Sequence, residues 1–202
     1  MLSRILSLLF GILLLTGPSS SLLMGETPGT FKTLNAFKKN FFVAFGDPNS
    51  WRINKNILEC TGTPNGYICT KKSYSNYILT VEFRFPKQAG NTGILNYISG
   101  RHQIWPKCVE VQGHYTDLAK IFPMGGLIGP RNDGDDSIRA AARKPHTEWN
   151  KLEITSNKGV LSAKLNNIFI GKSGPYKVRK GPIGFQSEGA PVHFRKILIE
   201  EL

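Results

Sequence analysis

Acidic residues and cysteine are what this sequence has least of. Asp and Glu number 14 against 26 Lys and Arg, a formal net charge of +12 over 202 residues, so anionic surfaces and acidic glycans are electrostatically favoured partners. The 3 cysteines are too few for a disulfide scaffold, and with no C-x-x-C or Cys/His ligand spacing a structural metal site is unsupported. GxSxG, Walker A, HExxH and dinucleotide fingerprints are all missing, so no cofactor is expected from motif chemistry. The basic residues are scattered, without a recognition helix or an aromatic-rich single-strand platform, which argues against nucleic acid as a partner. Beyond residue 21 no apolar run reaches the roughly 20 residues of a membrane-spanning helix.

The long apolar run that does occur, Ile5 to Leu15, follows Arg4 and precedes Gly17, Pro18, Ser19, Ser20 and Ser21, the pattern of a secretory signal peptide. Residues 1–21 are therefore expected to be a signal peptide and 22–202 a single domain, exported to the periplasm or the exterior. Export permits disulfides. If Pro64 and Asn65 form a two-residue hairpin loop, Cys60 faces Cys69 and the two either bridge or stay as buried thiols; Cys108 reads as a small buried hydrophobe.

Period-two alternation dominates the remainder. It predicts strands over 51–60, 66–72, 77–85, 92–98, 109–114, 150–156, 160–165, 168–170, 184–187 and 192–200, with one short helix at 136–143. Asn166 and Asn167 tolerate the positive φ of a tight hairpin. Many short antiparallel strands in one domain imply an all-β, two-sheet sandwich of jelly-roll type. Leu79, Val81, Phe83, Val109, Val111, Leu152, Ile154, Leu165 and Phe194 are the expected inter-sheet core, and Trp51 and Trp149 are read as core aromatics. The segment 120–145 reads as a long excursion, whose Asn132, Asp133, Asp135 and Asp136 form either a solvated acidic turn or a calcium loop without the EF-hand spacing.

In the stretch Val109 to His114 the valines share one face, while Cys108, Glu110, Gln112 and His114 share the other. Glu110, Gln112 and His114 thus form a polar row with about 7 Å between successive members. Such a row is either an ordinary solvated outer face or, on the concave face of a jelly roll, a place for glycans. Trp105, just upstream, could stack on a sugar ring, and Arg84 could reach in from a nearby strand. His102, His146 and His193 have no evident partner.

Taken in order, the pieces CTGTPNGYICT, YSNYILTVEFRFP with Glu82 and Arg84, GNTGIL with Asn91 and Gly93, IWPKCVEVQG with Glu110 and Gln112, TEWNKLEI with Asn150, KLNN at Asn166 and GPIGFQSEGAPVHFRKILIEEL with Gln186 and Arg195 resemble the 3-keto-disaccharide hydrolase domain family. The resemblance spans nearly the whole chain after the leader. It departs after His114, where YTDLAKIFPMGG replaces an AGD-type motif. The resemblance implies a concanavalin A-like jelly roll and a glycoside substrate whose ring C3 is a ketone. That carbonyl acidifies the C2 hydrogen, so a base can remove it and the C1 substituent can leave by elimination before water adds. Direct hydrolysis through two carboxylates is the alternative course, and no second carboxylate is placed by spacing. Glu110 is the expected proton-moving group and His114 a second acid or base. Arg84 and Gln112 would steady an enolate oxygen or orient hydroxyls, and the resemblance adds Asn91, Gln186 and Arg195 as polar pocket groups. A non-catalytic, lectin-like module for acidic polysaccharide is the competing reading, and a structural envelope protein a third.

Sequencing the N-terminus of the exported protein is expected to give a start near Leu22; an intact Met1 would contradict the leader.

Overall fold

Alternating apolar residues build two antiparallel sheets whose inner faces meet. The computed structural model describes residues 34–202, and the leader expected over 1–21 lies outside them. In chain order the elements are α1 (Leu34–Asn40), β1 (Phe41–Phe45), β2 (Trp51–Asn54), β3 (Ile57–Cys60), β4 (Gly66–Thr70), β5 (Tyr77–Arg84), β6 (Gly93–Ser99), β7 (Lys107–Gln112), β8 (Ile121–Met124), α2 (Asp136–Ala142), β9 (Asn150–Asn157), β10 (Val160–Leu165), β11 (Ile168–Ser173), β12 (Gly184–Ser187) and β13 (Val192–Glu201). A six-stranded sheet has the order β1-β4-β12-β6-β7-β8, and a seven-stranded sheet β11-β10-β9-β5-β13-β3-β2. All the ladders between these strands are antiparallel. The jelly-roll sandwich anticipated from the alternation is the observed architecture.

The nine anticipated core residues are all 2% exposed or less. Phe185 of β12 and Phe194 of β13 belong to opposite sheets, and their rings meet edge to face at 5.5 Å, a favourable aromatic geometry. Tight hairpins set the register. Asn166 and Asn167 take φ of 49° and 72° between β10 and β11, as anticipated. Lys55 and Asn56, at 46° and 66°, divide the segment 51–60 into the β2–β3 hairpin rather than one strand. Two edge strands escaped the alternation. β1, FFVAF, has no period of two and pairs with β4 through an irregular register. β8 carries Pro123, which only an edge strand tolerates.

Cys60 and Cys69 do not face each other. Cys60 ends β3 in the seven-stranded sheet and packs in the main core; Cys69 lies in β4 of the six-stranded sheet and faces outward. The segment 61–65 is a crossing between sheets, not a hairpin loop, and all three cysteines are free and buried.

The excursion after β8 is tied down by buried polar groups. Asp135 caps α2 through the amides of Ser137 and Ile138, at 2.7 and 3.1 Å. Arg139, 1% exposed, donates to the Leu118 carbonyl at 2.8 Å and to Asp136 and the Asp133 carbonyl. Asp133 pairs with Arg131, so these acids hold loop and helix together. Asn166 links the excursion to the sandwich, donating to the Ala142 carbonyl at 2.8 Å and to Asn150 Oδ1 at 2.9 Å.

Phe194→Ala is expected to lower unfolding free energy by about 3–5 kcal/mol, whereas Ile168→Ala at an exposed hairpin should change it by less than about 0.5 kcal/mol. Denaturant unfolding of both variants checks the pair.

Candidate active site

Because Val109 and Val111 point into the core, Cys108, Glu110 and Gln112 must point away from it, onto the outer face of the six-stranded sheet. Strand β6 runs between β7 and β12, and Gly93, at its start, lies opposite Gln112. A Cβ at Gly93 would stand 2.1 Å from Gln186 Oε1 and 2.3 Å from Glu110 Oε1. The missing side chain therefore gives the room into which the ends of Glu110, from one neighbouring strand, and Gln186, from the other, converge. No other residue type fits there without displacing them.

This site is dry. Glu110 is 3% and Gln186 1% exposed, and Tyr67, Cys69, Leu95, Ile98 and Cys108 form an apolar cluster on the same face. Glu110 Oε1, both amide atoms of Gln186 and Oδ1 of Asn91 are buried without a hydrogen-bond partner. Such atoms carry a desolvation cost that a fold ordinarily avoids. Burial pushes the Glu110 carboxyl up to about 8, and the Glu188 charge adds to the effect. Glu188 follows Gln186 by two residues, and its backbone bridges Asn91. Burial raises its own carboxyl as well, opposed by His114. Glu188 is the second carboxylate that spacing did not place. Its signal was the alternation Gln186, Ser187, Glu188, which puts it on the face of Gln186.

The other anticipated residues divide. His114 stands beside the site, its Nδ1 3.1 Å from Asp117 Oδ2. Thr116 Oγ1 stands 3.0 Å from the same nitrogen, so His114 Nδ1 is held by the turn and Nε2 is the nitrogen left for the site. Gln112 spends its carbonyl on the turn: Oε1 accepts from the amides of Gly113 and His114, both at 2.8 Å, and it acts first as a scaffold for His114. Trp105 is 38% exposed on the segment entering β7, at the end of the strand away from His114.

Arg84 and Arg195 do not reach this site. They lie on β5 and β13 of the seven-stranded sheet, facing away from the core, and hence on the opposite side of the sandwich from Glu110. Their guanidinium groups stand 4.7 and 4.1 Å from the Trp149 ring centroid, and Arg195 Nε donates to Glu82 at 2.6 Å. Trp149 is thus a half-buried surface aromatic under two cations, not a core residue. Alternation told which face each arginine takes but not which sheet it belongs to.

A model of the 3-keto-alpha-glucoside-1,2-lyase-like domain family matches residues 30–200. No curated protein matches the sequence. Among solved structures, a Parabacteroides distasonis ATCC 8503 protein provisionally called a glycosyl hydrolase superposes with a TM-score of 0.60 at 18% identity, covering 81% of this chain and 89% of its own. The carbohydrate binding module CBM66 of Bacillus subtilis gives 0.61 at 10% identity, over 87% and 98%. A Bacillus licheniformis beta-glucanase gives 0.56 at 9%, over 88% and 100%. At these identities the likeness is one of fold, shared by hydrolases and binding modules.

Burial of Glu110 has a thermodynamic consequence. Above 4.5 the unfolded chain gains by ionising this group, while the folded chain holds it neutral to about 8. Stability is therefore full below 4.5 and declines as pH rises towards 8. Glu110→Gln removes that loss and should stabilise the fold by about 3 kcal/mol at pH 7, with no gain below pH 4.5. Chemical unfolding across pH tests it, and a variant no more stable than wild type at pH 7 would contradict it.

Proposed function

The chain belongs to the 3-keto-alpha-glucoside-1,2-lyase-like domain family, and from that premise we propose that it is an exported enzyme that cleaves glycosides oxidised to a ketone at C3. The observation that carries the reading is the buried Glu110 carboxyl, converging with the unpartnered Gln186 amide over Gly93. A carboxyl pushed up to about 8 is, once ionised, a far stronger base than an ordinary carboxylate. It suits removal of a carbon-bound proton that a ketone has acidified.

In this mechanism Glu110 takes the proton from C2 as the C2–H electrons flow towards the C3 carbonyl. Gln186 Nε2, with no protein acceptor to satisfy, donates to the enolate oxygen that forms. As the enolate collapses, the C1–O bond breaks, and the leaving oxygen takes a proton from the water that will add at C1, with Glu188 and His114 beside each other on this rim. Water then adds across C1=C2, its oxygen to C1, with Glu110 returning a proton to C2. The 1,2-lyase of the family description favours this eliminative course over direct hydrolysis. Asn91 and Gln112 would orient ring hydroxyls, and Trp105 would meet a sugar residue farther along the face.

On a 3-keto-glycoside, Glu110→Gln is expected to lower kcat by roughly 10²- to 10⁴-fold while substrate still binds, and His114→Ala to cost less. The wild-type rate should climb with pH until Glu110 is ionised, near 8. Near wild-type turnover by Glu110→Gln would sink the assignment. A wild type that binds glycans yet turns over no 3-keto-glycoside would make the domain a binding module instead.

A further inference from the structure

The seven-stranded sheet has a polar row of its own. Arg52 of β2 is in register with Glu59 of β3, Glu59 with His193 of β13, and His193 with Arg84 of β5. Trp149, immediately before β9, carries the row on under the Arg84 guanidinium. Five adjacent strands at about 4.8 Å each give a track roughly 19 Å long. At its β2–β3 end the surface sinks into a groove of about 570 Å³, whose lining includes the polar side chains Arg52, Glu59, Lys87 and His193 over the apolar Pro86 and Pro191.

Positive charge exceeds negative along this track. Glu59 is met by Arg52 at 2.5 Å, and Glu82 by Arg195 and Lys196 at 2.6 and 2.8 Å. Lys87 and Arg84 have no carboxylate opposite them among the described residues. Arg84 Nε and His193 Nδ1 are also buried without a partner, side by side on paired strands. We propose that this face is a second, non-catalytic site that binds an acidic polysaccharide, with Arg52, Lys87 and Arg84 meeting its anionic groups and the groove holding one sugar residue. The mixture of apolar floor and polar side chains suits a sugar ring, which has both carbon faces and hydroxyls, and the length of the track suits a chain rather than a single small molecule. A single-stranded nucleic acid would need free aromatic faces for its bases, and the one indole here already lies under two guanidinium groups. The site is on the far side of the sandwich from Glu110 and does not depend on chemistry there.

The test uses the whole exported chain with polygalacturonate, neutral dextran and an oligothymidylate as probes in titration calorimetry. Polygalacturonate should bind, more weakly as salt is raised, and neutral dextran should not. The double variant Arg52→Gln, Lys87→Gln, both at surface positions, should weaken polygalacturonate binding about tenfold or more with unchanged circular dichroism and turnover. Glu110→Gln should bind it as wild type does, which separates failure here from failure of the catalytic reading. Undiminished binding by the double variant, equal binding of neutral dextran, or tighter binding of oligothymidylate than of polygalacturonate would each overturn the proposal.

Discussion

Everything in this molecule follows from the requirement that each strand bury every second side chain. Val109 and Val111 reach the core only if Glu110 is turned outward, and Phe194 reaches it only if His193 and Arg195 are turned out on the other sheet. The hydrophobic contact between the sheets therefore decides where polar side chains go without touching them. One-residue slippage in β7 would put a carboxyl into the core, at a cost no local gain offsets. The position of the candidate base is thus as firmly fixed as the core.

A fixed position becomes a reactive one only in a dry setting, and here the six-stranded sheet is unusual. Its outer face carries a second apolar cluster around Tyr67, Leu95 and Cys108, where an exposed sheet face ordinarily meets water. Glu110 stands at the margin of that cluster, and Gly93 leaves it room but no partner. Burial, more than the Glu188 charge, lifts its proton affinity. The same burial that equips the group for proton transfer makes the native state less favourable at neutral pH, the usual relation between a tuned site and stability.

Alternation is a statement about faces, and the faces were legible. The nine core residues, the outward turn of Glu110 and the Asn166–Asn167 hairpin could all be read from residue pattern. Sheet membership could not. Arg84 and Glu110 both face away from the core, yet nothing local distinguishes an outward residue of one sheet from an outward residue of the other, because that depends on crossings such as 61–65. The choice between a Cys60–Cys69 bridge and two buried thiols, of which the thiols are observed, has the same root: a Pro-Asn-Gly turn looks alike in a hairpin and in a passage between layers. Glu188 shares the face of Gln186 by alternation, but it lies one residue beyond the end of β12, and only the sheet order brings that end beside Glu110. Gly93 was visible as part of a motif, but its role in giving two side chains room exists only once β7 and β12 flank it.

Buried polar groups separate structure from function more sharply than exposure does. Arg139, Asn96, Asn150 and Ser156 are 2% exposed or less and all are hydrogen-bonded within the chain. They hold the excursion, the β6–β7 ladder and the sheet ends, and they look outward for nothing. Among the described residues, the buried side-chain atoms left without partners belong to Glu110, Gln186, Asn91, Arg84 and His193. These gather in two places, one on each outer face, and the two places differ in kind. At Gly93 the orphans are a carboxyl and neutral amides packed together over a glycine, a compact group suited to moving one proton. Between Glu59 and Trp149 they are a cation and an imidazole beside a groove on an extended row, which suits holding a chain. A sandwich has two outer faces, and an inter-sheet core that organises both leaves each free to carry its own arrangement of polar groups.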